Sequence, residues 1–308
     1  MNVLRHRCLH LGAGGCIWSM LLLGGCIAED RSDCPPQPEG NAVLLRVADA
    51  QSGEDLTADG AVRHAELFLF GPDGAYVGRY AADEVQIAGR IPVPVAAGDL
   101  AGYRISVWGN AGTEQQFDES FAFIGDEAIA LPVGNDGFRV ASDDLFFGIG
   151  RFGSPAEQPL EVTLLRKNAR LRITVRGLDA RVPAENYYFT VKEAADGYDF
   201  LGMPSGNPAL LRCAGAYDAR GDFVSADPFD LIHTEGSAEG AVTVSLYRKE
   251  QVRTDDRLVV AVTTDDDGAP LELPSGRTPH LQLDLRGTQT EIRVEVTRWG
   301  EMYQWDAW

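Results

Sequence analysis

Ala65-Glu66-Leu67-Phe68-Leu69-Phe70-Gly71-Pro72-Asp73-Gly74-Ala75-Tyr76-Val77 reads as a β-hairpin. Ala65, Leu67 and Leu69 alternate with Glu66, Phe68 and Phe70, the period of two that sends successive side chains to opposite faces of a strand. Gly71-Pro72-Asp73-Gly74 stops the strand, because proline presets its own φ, aspartate folds back on its own backbone, and glycine accepts positive φ. Residues 75–80 then return as the partner strand.

The same grammar continues in both directions. An apolar strand is expected at 42–48 and the first hairpin strand at 62–70, with others at 85–95, 103–108 and 138–147, a second set beginning at 160 and running through 175 to Gly177, and later strands at 187–191, 241–247, 258–264, 280–285 and 291–298. Arg170-Leu171-Arg172-Ile173-Thr174-Val175 alternates basic or polar with apolar residues, again with period two. No stretch of useful length carries a helical period. Many short strands between glycine and proline turns, with 34 glycines and 16 prolines in 308 residues, indicate an all-β protein built of sandwiches. Gly153-Ser154-Pro155 is the best linker candidate and divides the chain into an N-terminal domain at 41–156 and a C-terminal domain at 157–308.

Residues 1–40 follow different rules. Arg5 and Arg7 precede an apolar run at 9–23, which ends in Leu23-Gly24-Gly25-Cys26. A charged start, a short apolar stretch and small residues before a cysteine make a lipoprotein signal at 1–25, with Cys26 left at the new N-terminus to carry lipid. A membrane-spanning helix needs about 20 apolar residues, and this run is shorter and broken by Gly12, Gly14 and Gly15. Several acyl chains, each CH₂ worth about 0.8 kcal/mol, hold a protein to a bilayer without crossing it. Residues 26–40, rich in proline and charge, cannot build a core and form a tether. Ile27 follows the cysteine, so the inner-membrane retention aspartate is missing, and Glu29-Asp30 resembles the acidic signal that exports lipoproteins to the outer face of the outer membrane.

The formal charge is −19, and loss of residues 1–25 removes two arginines and no acid. So acidic a surface repels nucleic acid. Of the five cysteines, Cys8 and Cys16 leave with the signal and Cys26 takes the lipid. Cys34 and Cys213 remain, either as one disulfide formed outside the cytoplasm or as two thiols. His64, His233 and His280 lack metal-ligand spacing, and no nucleophile elbow, P-loop or dinucleotide fingerprint occurs. Asp265-Asp266-Asp267-Gly268 is better read as a polar turn than as a calcium loop, which needs ligands spread over 12 positions. No catalytic residue, metal or cofactor is therefore expected. Trp108 is read as core filler beside Tyr103.

Four stretches resemble the FimB-type fimbrial anchor subunits, lipoproteins that hold fimbriae to the bacterial surface. They are Cys26 with the acidic run into Cys34-Pro35; the hairpin at 66–77; Ala97-Gly98-Asp99-Leu100-Ala101-Gly102-Tyr103-Arg104-Ile105-Ser106-Val107-Trp108-Gly109-Asn110; and Asp144-Leu145-Phe146-Phe147-Gly148, followed by Leu164-Leu165-Arg166-Lys167-Asn168-Ala169-Arg170-Leu171. Tyr198-Asp199-Phe200 fits more loosely. The resemblance implies two tandem transthyretin-like β-sandwich domains and a non-enzymatic role at the fimbrium base, on the outer membrane, with a fimbrillin stalk subunit as partner. Limitation of polymer length is an open part of that role.

Subunits of this kind join by strand exchange, where main-chain hydrogen bonds give affinity and alternate side chains give specificity. Ile292, Val294 and Val296 form one apolar face of the last strand. That strand either inserts into the stalk subunit or completes its own domain, since alternation fits both. Trp299, Trp305 and Trp308 are either an added partner patch or part of the second core. The same tryptophans are the aromatic platform on which an alternative role, a surface glycan-binding lipoprotein, would rest.

Overall fold

The computed structural model describes residues 40–95, 98–112, 115–153, 159–226, 229–235, 242–250 and 256–301. The N-terminal half runs β1 (Ala42–Ala48), β2 (His64–Phe70), β3 (Tyr76–Asp83), α1 (Glu84–Ala88), β4 (Val93–Pro94), β5 (Arg104–Gly109), β6 (Glu127–Ala130), β7 (Phe146–Arg151) and β8 (Leu160–Arg166). All of these strands except β6 form one sheet, in the order β3-β2-β5-β7-β8-β1-β4. β2 and β3 are the expected hairpin. Its turn closes with the Gly71 N–H donating to the Ala75 carbonyl at 2.8 Å, and Gly74 sits at φ 86°, where a Cβ would be strained.

Three expectations change. Residues 85–95 do not make one strand, because Asp83 and Gln86 form a reciprocal cap that starts α1, and only Val93–Pro94 is extended. The strand expected at 138–147 begins instead at Phe146 and runs to Arg151. β8, expected to open the second domain at 157, belongs to the first sheet. It lies parallel to β1 from Val43↔Leu160 to Ala48↔Leu165 and antiparallel to β7. The break between sheets therefore falls at Lys167-Asn168, where a polar pair interrupts two strands of the same character.

The C-terminal half runs β9 (Ala169–Arg176), β10 (Tyr187–Glu193), β11 (Gly197–Asp199), β12 (Pro204–Ser205), β13 (Ala209–Tyr217), β14 (Phe223–Ser225), β15 (Phe229–Leu231), β16 (Thr243–Arg248), β17 (Arg257–Val262), β18 (Arg277–Asp284) and β19 (Glu291–Arg298). Its sheet has the order β17-β16-β10-β13-β14-β9-β18-β19, with β15 also paired to β9. The fold is all-β, and each half folds its sheet around a core. The acidic run after β17 is a turn: the Asp265 carboxylate accepts the Asp267 and Ala269 N–H groups, and Gly268 has φ 81°.

β2 shows why two cores arise. Leu67 and Leu69 point into the N-terminal core with Val43, Ile105 and Val107, whereas Phe68 and Phe70 point the other way. They join a second core with Trp108, Tyr198, Phe200 and the C-terminal strands. Phe68 lies 4.8 Å from Phe117 and 4.9 Å from Phe200, ring centroid to centroid. Such tilted aromatic pairs add about 0.5–1.5 kcal/mol each to simple burial. Trp108 is core filler as expected, but its ring neighbours are Phe147 at 4.6 Å and Tyr198 at 5.6 Å, while Tyr103 packs against the other core.

A small sheet stitches the halves together. β6 from the N-terminal half pairs β11 from the C-terminal half, which pairs β12. A Cβ on Gly197 would come within 2.2 Å of the Ile129 carbonyl oxygen, so only glycine permits this approach. Arg139 crosses the same seam. Its guanidinium pairs with the buried Asp196 carboxylate and donates to the Leu131 carbonyl at 2.6 Å.

Candidate functional site

The features with functional potential lie at one end of the C-terminal sheet and at the seam below it. β19 pairs β18 over its whole length, from Asp284↔Glu291 to Arg277↔Arg298. It is the outermost strand, and its far edge has no strand partner among the described residues. Ile292 and Val294 pack against the second core, while Val296 is 49% exposed. Two of the three residues of the apolar face expected for this strand are thus used inside its own sheet.

Trp299 follows β19 and turns back onto the junction. The Arg166 and Arg170 guanidiniums lie over its ring, 4.4 and 4.0 Å from the centroid. Asp144 holds Arg166 with two contacts of 2.7 and 2.9 Å, and Asp230 holds Arg170 with contacts of 2.7 and 3.1 Å. Guanidiniums fixed in this way lose little freedom on stacking, so each cation–π contact is worth about 0.5–2 kcal/mol. Burial pushes the Asp230 carboxyl up, with Arg170 opposing it.

Between these arginines, Lys167 and Asn168 enter the seam. The Asn168 amide donates to the Ser142 hydroxyl at 2.7 Å, and its carbonyl oxygen accepts the Tyr198 hydroxyl at 3.1 Å. The Tyr198 oxygen in turn accepts the His233 backbone N–H at 3.2 Å. The His233 ring stacks on Tyr198 with centroids 5.5 Å apart. Burial, with the Lys167 charge adding to it, holds this imidazole down at about 3.

Acid should therefore weaken the fold through His233. Between about pH 3 and the ordinary histidine value near 6.5, an unfolded chain binds a proton that the folded chain refuses. Stability carried by His233 is therefore present above 6.5 and lost as pH falls through this window, by up to roughly 1.4 kcal/mol per unit. Thermal melts of the wild type and His233→Phe between pH 7 and 4 should diverge, with the variant losing less. Parallel curves would refute the assignment.

A cleft of about 440 Å³ opens beside the junction, lined by Gln51, Phe147, Arg166, Lys167, Glu235, Ser275 and Arg277 among others. Among the described residues no group of three or more histidines, cysteines or acids is placed to hold a metal ion. Tyr198, Arg166 and Lys167 stand in stretches that carried the family resemblance, but their meeting at one seam was not readable from spacing. The sequence signal for it was an Arg-Lys-Asn-Ala-Arg run in a strongly acidic chain.

Residues 31–305 match the profile of the fimbrillin-A associated anchor proteins Mfa1 and Mfa2. This chain belongs to that anchor family. It is 27% identical over 297 residues to the major fimbrium anchoring subunit FimB of Porphyromonas gingivalis, covering 92% of both chains. The counterpart from strain W83 is 26% identical over 298 residues, covering 92% of this chain and 93% of that one. The solved fimbrial anchor protein Mfa2 from the same species superposes with a TM-score of 0.62 at 14% identity, covering 84% of this chain and 97% of that chain. At that identity the superposition speaks for the fold.

Within this anchor family member, Cys26, Cys34, Trp305 and Trp308 lie outside the described residues. Cys213 is on β13, half-buried, with its thiol 3.1 Å from the Ala214 carbonyl. Trp299 is not an open platform, because two guanidiniums cover it. The glycan-binding alternative loses the one described member of its aromatic cluster, and the family matches do not favour it.

Proposed function

We propose that this chain anchors a fimbria to the cell surface as an outer-membrane lipoprotein, held by lipid on Cys26 and joined to the stalk by β-strand complementation through β19. The job is structural, and no catalytic step is part of it. The observation that carries this reading is the outer edge of β19, which no strand pairs among the described residues, while its inner edge is paired over eight residues. Withdrawing β19 into a neighbour would break that whole ladder and uncover Ile292 and Val294. Adding a stalk strand to its outer edge costs neither, and supplies main-chain hydrogen bonds in a direction the sheet already defines. Val296, the exposed member of the apolar face, then meets the partner. A stalk that ends on a lipid-held subunit grows no further at that end, so the same contact limits length. Trp305 and Trp308 belong to this reading as further partner contacts.

Cells carrying a photocrosslinking residue at position 296, grown with labelled palmitate, test both ends of the proposal at once. The expected result is a covalent adduct with the stalk subunit, none from the equally exposed Val77 on β3, and palmitate incorporation that Cys26→Ala abolishes. Adducts from position 77 alone, or a chain that takes up no palmitate, would overturn it.

A further inference from the structure

The cleft beside β19 carries a charge pattern that the anchor role does not explain. Arg166, Lys167 and Arg277 line it against a single acid, Glu235, on a protein whose overall formal charge is −19. Arg166 is occupied by Asp144, and Arg277 donates to the neutral side chain of Gln51, with the Asp49 carboxylate near enough to feel its charge. Lys167 is different. Its ammonium makes no hydrogen bond or ion pair with any described residue, and has only the ring faces of Phe147 and Tyr198, 5.6 and 5.9 Å from their centroids.

Lys167 is half-buried, and an ammonium partly removed from water loses more than aromatic faces return unless a carboxylate joins it. Burial pushes the Lys167 ammonium down from its usual range, while Glu235 and Asp199, beyond contact distance, only partly oppose this. A carboxylate entering the cleft would supply the missing partner. The volume, about 440 Å³, suits a side chain or a chain end with its first waters.

Arg277 opens β18 and is the register partner of Arg298 at the end of β19, and Trp299 stacks on the cleft residue Arg166. A strand laid along the outer edge of β19, about 4.8 Å away, therefore ends level with the cleft. We infer that the junction cleft binds a carboxylate of a partner polypeptide, with Lys167 and Arg277 as its cationic contacts. The identity of that polypeptide as a stalk strand rests on the proposed function; the chemistry of the cleft does not.

Two acetylated probe pentapeptides separate the sources of the carboxylate: one amidated with a central glutamate, one with apolar side chains and a free C-terminus. A third, apolar and amidated, is the neutral reference. Against the mature lipidated chain in detergent, fluorescence anisotropy should show at least one carboxylate probe binding tenfold or more tightly than the neutral one, with the preference fading as salt rises. Lys167→Met should remove most of that preference and Arg277→Gln part of it, while Arg257→Gln on β17 leaves it intact. Melting curves check that each variant is folded, and Arg277→Gln carries the test if Lys167→Met is not. Equal binding of charged and neutral probes, or an unchanged preference in the folded cleft variants, would overturn the inference. Probe binding that persists when position 296 yields no stalk adduct would count against the strand reading alone.

Discussion

Arg139→Met should destabilise the protein by about 3–5 kcal/mol, the usual result of removing one partner from a buried ion pair. Only 3% of the Asp196 side chain is exposed, and Arg139 is its charge partner. Its second oxygen accepts the Asn207 N–H at 2.8 Å, which orients the carboxylate without neutralising it. Glu127 stands close by, its own carboxyl pushed up by burial and by the Asp196 charge. Without Arg139 two acids would face each other across the β6–β11 seam. Urea denaturation at pH 7 measures the loss, and a double variant adding Asp196→Leu should recover much of it, because no unpaired charge is then left buried. A loss below 1 kcal/mol would mean that water reaches Asp196 and that the seam is not a closed contact.

Phe68→Ala should cost a similar amount, about 3–5 kcal/mol, from lost burial plus the cavity left behind. The ring is fully buried among Phe117, Phe121 and Phe200, with the Arg79 guanidinium 5.2 Å from its centroid. Because this face of β2 looks away from the N-terminal core, the damage should appear as uncoupling of the two halves. Hydrogen exchange should quicken in β6 and β11 before it does in β1 and β8. Uniform acceleration through the N-terminal sheet would show that Phe68 supports that sheet instead of the seam.

The sheet edge and the seam were unequally legible. β19 runs from Glu291 to Arg298, the bounds its alternation predicts, since a period of two is a local property that survives any choice of neighbour. Its being an edge strand is not local, because that depends on β18 lying parallel to β9. Residues 85–95 misled for the opposite reason: their apolar content suits a strand, but the Asp83 and Gln86 cap decides the backbone first. The arginines over Trp299 come from positions 166 and 170, more than a hundred residues away, and no spacing rule reaches that far.

By itself the sequence determined an all-β chain with its turns, the lipid signal at Cys26 as an expectation, and the family. Each of these is written in short stretches whose physics is local: alternation, glycine and proline dihedrals, a charged start before an apolar run. Tertiary structure alone decided that β8 closes the first sheet, and that Phe68 and Phe70 serve a different core from Leu67 and Leu69. It also brought Lys167 to a cleft in which, among the described residues, no carboxylate touches its ammonium. Those outcomes depend on which strands pair across the chain, as Val43 does with Leu160, and both faces of β2 are apolar, so hydrophobicity could not choose between them.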